Sequence, residues 1–308
     1  MFLSVVTGRS SEAVMGMGIQ LAACQETRTV MTDARVMWTL FEPVHGISYF
    51  ADEPLAAWEA AGLRGYWRGY FAGRATPLRT SSPAVVTAVF ASFSPAFVAR
   101  AIPGIYDLLP PAEALRIRLD GAVTALRRVL AGHEAEVAAA AAQLGAAIED
   151  LDCTGRPLAA GNAALPVPDE PFARLWHAAT VLREHRGDTH FAAWTATGTD
   201  GCEANVLRCA IDLSREVLQP IRGWTDEQWS AAASRLAERG LLTPGGEVTG
   251  AGRDLHAAVE AATDNAVARP WERVPVAELR ELLLPIAQAC AAAIGRRSPI
   301  QVPAPGSL

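Results

Sequence analysis

The clearest periodic stretch of the chain lies between Trp224 and Ala268. Apolar Trp229, Ala232, Ala233, Leu236 and Ala237 recur at three- and four-residue spacing, which predicts a helix with one buried face. Thr225 and Gln228 have capping-box spacing, so the helix is expected to start there and run to Gly240. Leu241-Leu242-Thr243 and Glu247-Val248-Thr249 flank Pro244-Gly245-Gly246, a pattern that predicts a small β wing around a tight turn. Thr249 can then cap another helix carrying Leu255, Val259 and Ala262. Helix, two-stranded wing, helix is the winged-helix order.

An internal repeat organises the remainder. Residues 52–65 align without gaps on residues 188–201, pairing Asp52 with Asp188, Trp58 with Trp194, Gly62 with Gly198 and Gly65 with Gly201. In each copy the aspartate is expected to open a helix and the glycine to end it in the left-handed conformation. A Trp-containing helical segment, around Trp38 and Trp176, precedes each copy. In the first half, Ser82-Pro83 begins a helix expected to reach Phe93, and Pro95 and Pro103 interrupt the next stretch, where a recognition helix and wing would lie. Residues 110–152 read as two helices broken near Gly132. The fold class expected is mainly α: two tandem winged-helix-like halves, with a small β wing in the second. The expected boundaries are a degenerate first half over 31–150, a linker over 151–170 and a second half over 171–297. Residues 298–308 are expected to form an extended tail. Residues 1–30 lack clear periodicity and read as a disordered extension upstream of a start at Met31.

Composition narrows the class. The chain has 308 residues, half of them apolar, which is ample for a buried core. No stretch is apolar enough to read as a membrane span. The 33 acidic side chains outnumber the 27 basic ones, so broad electrostatic capture of nucleic acid is not expected. All the basic side chains are arginine. The five cysteines are scattered without close pairs, which argues against a disulfide framework and for a reducing cytoplasm. No phosphate loop, dinucleotide fingerprint or GxSxG elbow is present, and neither cofactor nor metal is expected.

Residues 235–264, RLAERGLLTPGGEVTGAGRDLHAAVEAATD, resemble the recognition helix, wing and following helix of MarR-type regulators. From about Met31 the whole chain resembles an actinobacterial helix-turn-helix family, through Glu42-Pro43-Val44-His45, residues 65–74, residues 182–188 and Gly201-Cys202-Glu203. The resemblance implies a dimer that releases duplex DNA when it binds a small ligand. The DNA-binding candidates are Arg235, Arg239 and Arg253, a thin set beside Asp226, Glu227 and Glu238.

Two polar constellations stand apart from the wing. Tyr66, Trp67, Arg68, Tyr70 and Arg74 fall on one predicted helix among Gly62, Gly65, Gly69 and Gly73. With Tyr49, Arg183 and Arg186 they form the candidate site for a flat or anionic small ligand. The bland alternative is helix packing with the arginines in salt bridges. The second group holds Arg183, Glu184, His185, Arg186, Asp188 and His190, with His177 two helical turns earlier. If the protein is an enzyme, the candidates are His45, His185, His190 and Glu203; if the two halves pack around a pseudo-twofold axis, His45 and His185 are expected to face one central cavity. A purely structural ion-pair network is the alternative there. The leading expectation is a small-molecule-responsive, MarR-like transcriptional regulator. The runner-up is a small-molecule-binding protein or enzyme of specialised metabolism that uses the winged helix as scaffold.

Overall fold

The protein is built of α-helices in a computed structural model, which describes residues 32–79, 82–295 and 304–306. Fifteen helices lie among the described residues: α1 (Asp33–Phe50), α2 (Asp52–Ala60), α3 (Tyr66–Ala75), α4 (Pro83–Val89), α5 (Pro95–Ala99), α6 (Ile105–Leu108), α7 (Pro111–Val129), α8 (Glu134–Ile148), α9 (Pro157–Ala163), α10 (Pro171–Ala196), α11 (Gly201–Ile211), α12 (Arg215–Arg222), α13 (Asp226–Glu238), α14 (Gly250–Ala266) and α15 (Val276–Ile294). The expected extension over 1–30 lies outside the described residues, as does the expected tail apart from 304–306.

Three apolar cores hold these helices. The central one is a bundle of α1, α7, α8, α10 and α15, closed by Phe41, Trp176, Leu144 and Leu283. It draws helices from both sequence halves, because α1 and α10 each bury more than one side and need several neighbours. Trp176 and Phe41 are buried, and each such side chain is worth about 1.5–3 kcal/mol. A second core gathers Trp58, Phe71, Phe90, Phe93 and Ile102. The third joins Trp194, Leu207, Trp229, Leu236 and Val259 under the helix–turn–helix segment.

The repeat is visible in its helix ends. Gly62 and Gly198 both have positive φ, 88° and 70°. Leu63 N–H bonds Trp58 O, and Thr199 N–H bonds Trp194 O, so the same capping turn closes both copies. The aspartates differ. Asp52 opens α2, whereas Asp188 lies inside the 26-residue α10 and does not open a helix. Its Oδ2 instead accepts the N–H groups of Leu158 and Ala159, satisfying the first turn of α9. That helix lies within the stretch expected as linker and buries Leu158, Ala159 and Asn162.

Other boundaries moved. The helix after Ser82 ends at Val89 rather than Phe93, and α5 begins two residues past Phe93. In α14, Val259 and Thr263 face inward and Ala262 is exposed. The capping box of Thr225 and Gln228 forms as expected. The expected β wing does not: among the described residues there is no strand, only an isolated antiparallel bridge between Leu242 and Val248. Each arm is about three residues long, and Thr249 already caps α14, so the ladder has no room to extend.

Residues 91–97, the loop before α5 and its first turn, pack directly onto α11 and the α12–α13 turn. A Cβ on Gly201 would lie 1.6 Å from Ala91 O, a backbone atom that cannot move without parting the two segments. Gly201→Ala is therefore expected to lower stability by about 3 kcal/mol or more. Gly145→Ala in α8, where nothing lies within 4 Å, is expected to raise it by about 0.5–1 kcal/mol. Denaturant unfolding of the two variants checks both signs.

Candidate functional site

Helix α3 supplies two faces by its spacing. Gly69 and Gly73 lie against Trp58, where an added Cβ on Gly69 would sit 2.7 Å from the indole. That close approach turns Tyr66, Trp67 and Tyr70 toward a cavity of about 230 Å³. The other walls come from Trp38, Glu42 and Tyr49 of α1, Arg183, Arg186 and His190 of α10, Asn205 and Arg208 of α11, and Arg222 of α12. The rings pack at offset and edge-on angles, as with Tyr49 and Tyr70 at 4.9 Å and Trp67 and Tyr70 at 5.4 Å.

Glu184 is the electrostatic centre. Its oxygens accept both forks of Arg74, at 2.9 and 3.0 Å, and one nitrogen of Arg183 at 2.9 Å. Burial pushes this carboxyl toward the neutral form, but the two guanidiniums outweigh it and hold its pKa well below the usual range. Arg183 also reaches Glu42, and Arg186 pairs with Glu260 and Asp264 while stacking on Trp38. Arg208 pairs with Asp212.

Seven of the eight ligand candidates line this cavity: Tyr49, Tyr66, Trp67, Tyr70, Arg74, Arg183 and Arg186. Arg68 does not; it is exposed on the opposite face of α3. Sequence reasoning missed Arg222. The signal was its four-residue spacing from Leu218, which puts a cation on the buried face of a short helix.

The enzyme candidates scatter. His45 is buried with Nδ1 3.0 Å from Thr180 Oγ1. His185 donates from Nε2 to Asp152 O and lines a separate cleft of about 80 Å³. The two histidines therefore do not share a central cavity. His190 accepts from Trp194 Nε1 and so donates from Nδ1 to Thr263 Oγ1. Both its nitrogens are occupied, and burial lowers its pKa to about 4. Glu203 serves as the third residue of the α11 capping box and pairs with Arg235 and Arg239. Burial pushes the Cys202 thiol up to about 12, far from a reactive thiolate. No group of three or more metal-ligating side chains occurs among the described residues.

Helix α12, Gly223 in the left-handed region and α13 follow one another as helix, turn and helix, and α11 packs against both. A comparison with protein-family models matches residues 34–297 to a helix-turn-helix family. The chain belongs to that family. No curated protein and no solved structure matches it. In this helix-turn-helix protein, no helix among the described residues is long and apolar enough to cross a membrane.

The DNA candidates are placed unevenly. Arg235 bonds Asp200 and Glu203 at 2.7 Å, and Arg239 bonds the carbonyls of Thr197 and Gly198. Arg253 is exposed near the start of α14. The outer face of α13 shows Glu227, Ser230, Ser234 and Glu238.

Glu184→Gln leaves the buried Arg74 guanidinium without a carboxylate and Arg183 with Glu42 alone, and is expected to cost about 3–5 kcal/mol in denaturant unfolding. The histidines dictate a pH dependence. His177, His185 and His190 have pKa values of about 4 through burial, and His45 is lowered as well. The unfolded chain takes up their protons first, so stability is full above about pH 6.5 and falls as pH drops toward 4. Asp188, raised by burial to about 7, works in the opposite direction over that range, but it is one group against four. The melting temperature is expected to fall from pH 7 to pH 5, at roughly 2 kcal/mol per buried histidine, and less steeply in His185→Gln.

Proposed function

We propose that this protein is a DNA-binding regulator whose helix–turn–helix is controlled by a small molecule held in the aromatic–arginine cavity. The observation that carries this reading is the shared helix α12. Its Arg222 lines the cavity, and its next residue, Gly223, turns the chain into α13. Ser92 O accepts from Asn205 and Trp224, and Ser94 donates to Gly223 O, so the cavity-side loop is tied to the same turn. A ligand that moves α12 would therefore reposition α13, which is the differential contact a switch requires. Family membership supports the DNA half of the reading. The MarR-like dimer is the working form we propose, with two α13 helices reading one duplex.

A second reading is favoured by the charge on α13. Asp226 and Glu227 stand in its exposed first turn, and Arg235 is held by Asp200 and Glu203. In that version the helix–turn–helix is scaffold and the protein is a small-molecule binder.

Fluorescence anisotropy against duplex DNA from upstream of the coding sequence, over a salt series with random duplex as competitor, separates the two. The regulator binds its own DNA preferentially, with affinity falling steeply as salt rises. Arg253→Ala is expected to weaken binding roughly 3- to 10-fold and lower the salt slope by about one. Absence of binding even at low salt leaves the scaffold reading.

A further inference from the structure

Arg222 is the cavity's unbalanced charge. It is 7% exposed, its guanidinium lies 4.5 Å above the Phe93 ring, and its Nε has no hydrogen-bond partner. Arg74, Arg183, Arg186 and Arg208 each have a carboxylate within ion-pair distance; Arg222, among the described residues, has none. Burial lowers its pKa to about 10, with Arg74 and Arg183 adding repulsion, so it remains a cation at neutral pH. A buried charge without a partner is costly, and such a charge facing a cavity calls for an anion inside it.

The rest of the wall says what carries the anion. Tyr66, Trp67, Tyr70 and Tyr49 present ring faces and edges, which suits a flat unsaturated body. The hydroxyls of Tyr49 and Tyr66 have no hydrogen-bond partner among the described residues, and burial holds both in the protonated, donating form. The volume of about 230 Å³ suits one fused ring pair rather than a nucleotide. One unpaired arginine matches one negative charge. A cationic aromatic would meet Arg222, and the acids of the wall, Glu42 and Glu260, are already paired with Arg183 and with Arg35 and Arg186.

We infer that the cavity binds a flat aromatic carboxylate, with the carboxylate on Arg222 and the ring system among Tyr66, Trp67 and Tyr70. This rests on reading the cavity as the ligand site of the proposed regulator. Charge-assisted pairing of this kind favours acid over neutral isostere by roughly 10- to 100-fold.

The test uses the full chain and three probes, 2-naphthoate, 2-naphthamide and 2-naphthylmethylamine, in isothermal titration calorimetry. Naphthoate is expected to bind about 10- to 100-fold more tightly than the amide, with the amine weakest. Arg222→Met should reduce the acid–amide ratio to within about threefold while leaving amide binding intact; Arg222→Lys should keep a preference for the acid. A melting curve establishes that each variant folds, and where Arg222→Met does not, the wild-type series and Arg222→Lys decide. Equal binding of acid and amide, preference for the amine, or no binding of any probe at millimolar concentration overturns the inference. So does an acid preference that survives Arg222→Met. The anisotropy assay repeated with saturating naphthoate separates this from the regulator reading: tight acid binding with unchanged DNA affinity upholds the ligand class and removes the switch.

Discussion

A single buried carboxylate holds the molecule in register. Glu184 sits on α10, the longest helix among the described residues, and binds Arg74 of α3 and Arg183 of its own helix. Charges taken out of water must find partners, and here the partner comes from the other side of the cavity. The ion pair therefore does more than offset its own desolvation. It sets the distance between α3 and α10, and that distance is the width of the cavity. Arg186, Glu260 and Asp264, with Arg35 of α1, make a second such knot at the far wall. Apolar packing alone would hold these helices together without specifying their separation.

The second constraint is the contact of residues 91–97 with the α12–α13 turn. Glycine is the only residue type that fits at positions 201 and 223: Cβ atoms on Gly201 and Gly223 would meet Ala91 O at 1.6 Å and the Phe97 side chain at 2.4 Å. Gly223 also has φ of 73°, which favours glycine independently of the contact. Residues 91–97 and the turn are thus fitted to each other without room for a side chain between them. Ser92 and Arg222, one from each side of this seam, line the cavity, and Gly223 leads from Arg222 into α13, so under the proposed regulator reading this contact is what would join the cavity to the helix–turn–helix.

The cavity-lining aromatics of α3 were legible in the sequence because helical spacing alone places Tyr66 and Tyr70 on one face, and Gly69 and Gly73 mark the face that must pack closely. Arg68 failed by the same geometry: two residues from Tyr66 and Tyr70, it points away from both. The histidines were not legible. His45, His185 and His190 are close in chemistry and two are close in sequence, yet five positions along a helix is most of a half-turn away from the same face. Each found a separate partner in Thr180, Asp152 or Thr263.

The two matching capping turns and the capping box at Thr225 were determined by local sequence, since each depends on residues within one or two turns of chain. Tertiary structure alone decided the roles of the charges. Asp188 was expected to open a helix and instead caps α9 from inside α10; Arg235 pairs with Asp200 and Glu203 of another helix end; Arg222, unremarked in the sequence, is left unpaired in the cavity. A side chain's apolar face can be read from its spacing, because burial follows the period of the helix. The partner of a charge cannot, because it arrives from another element brought close only when the whole chain has folded.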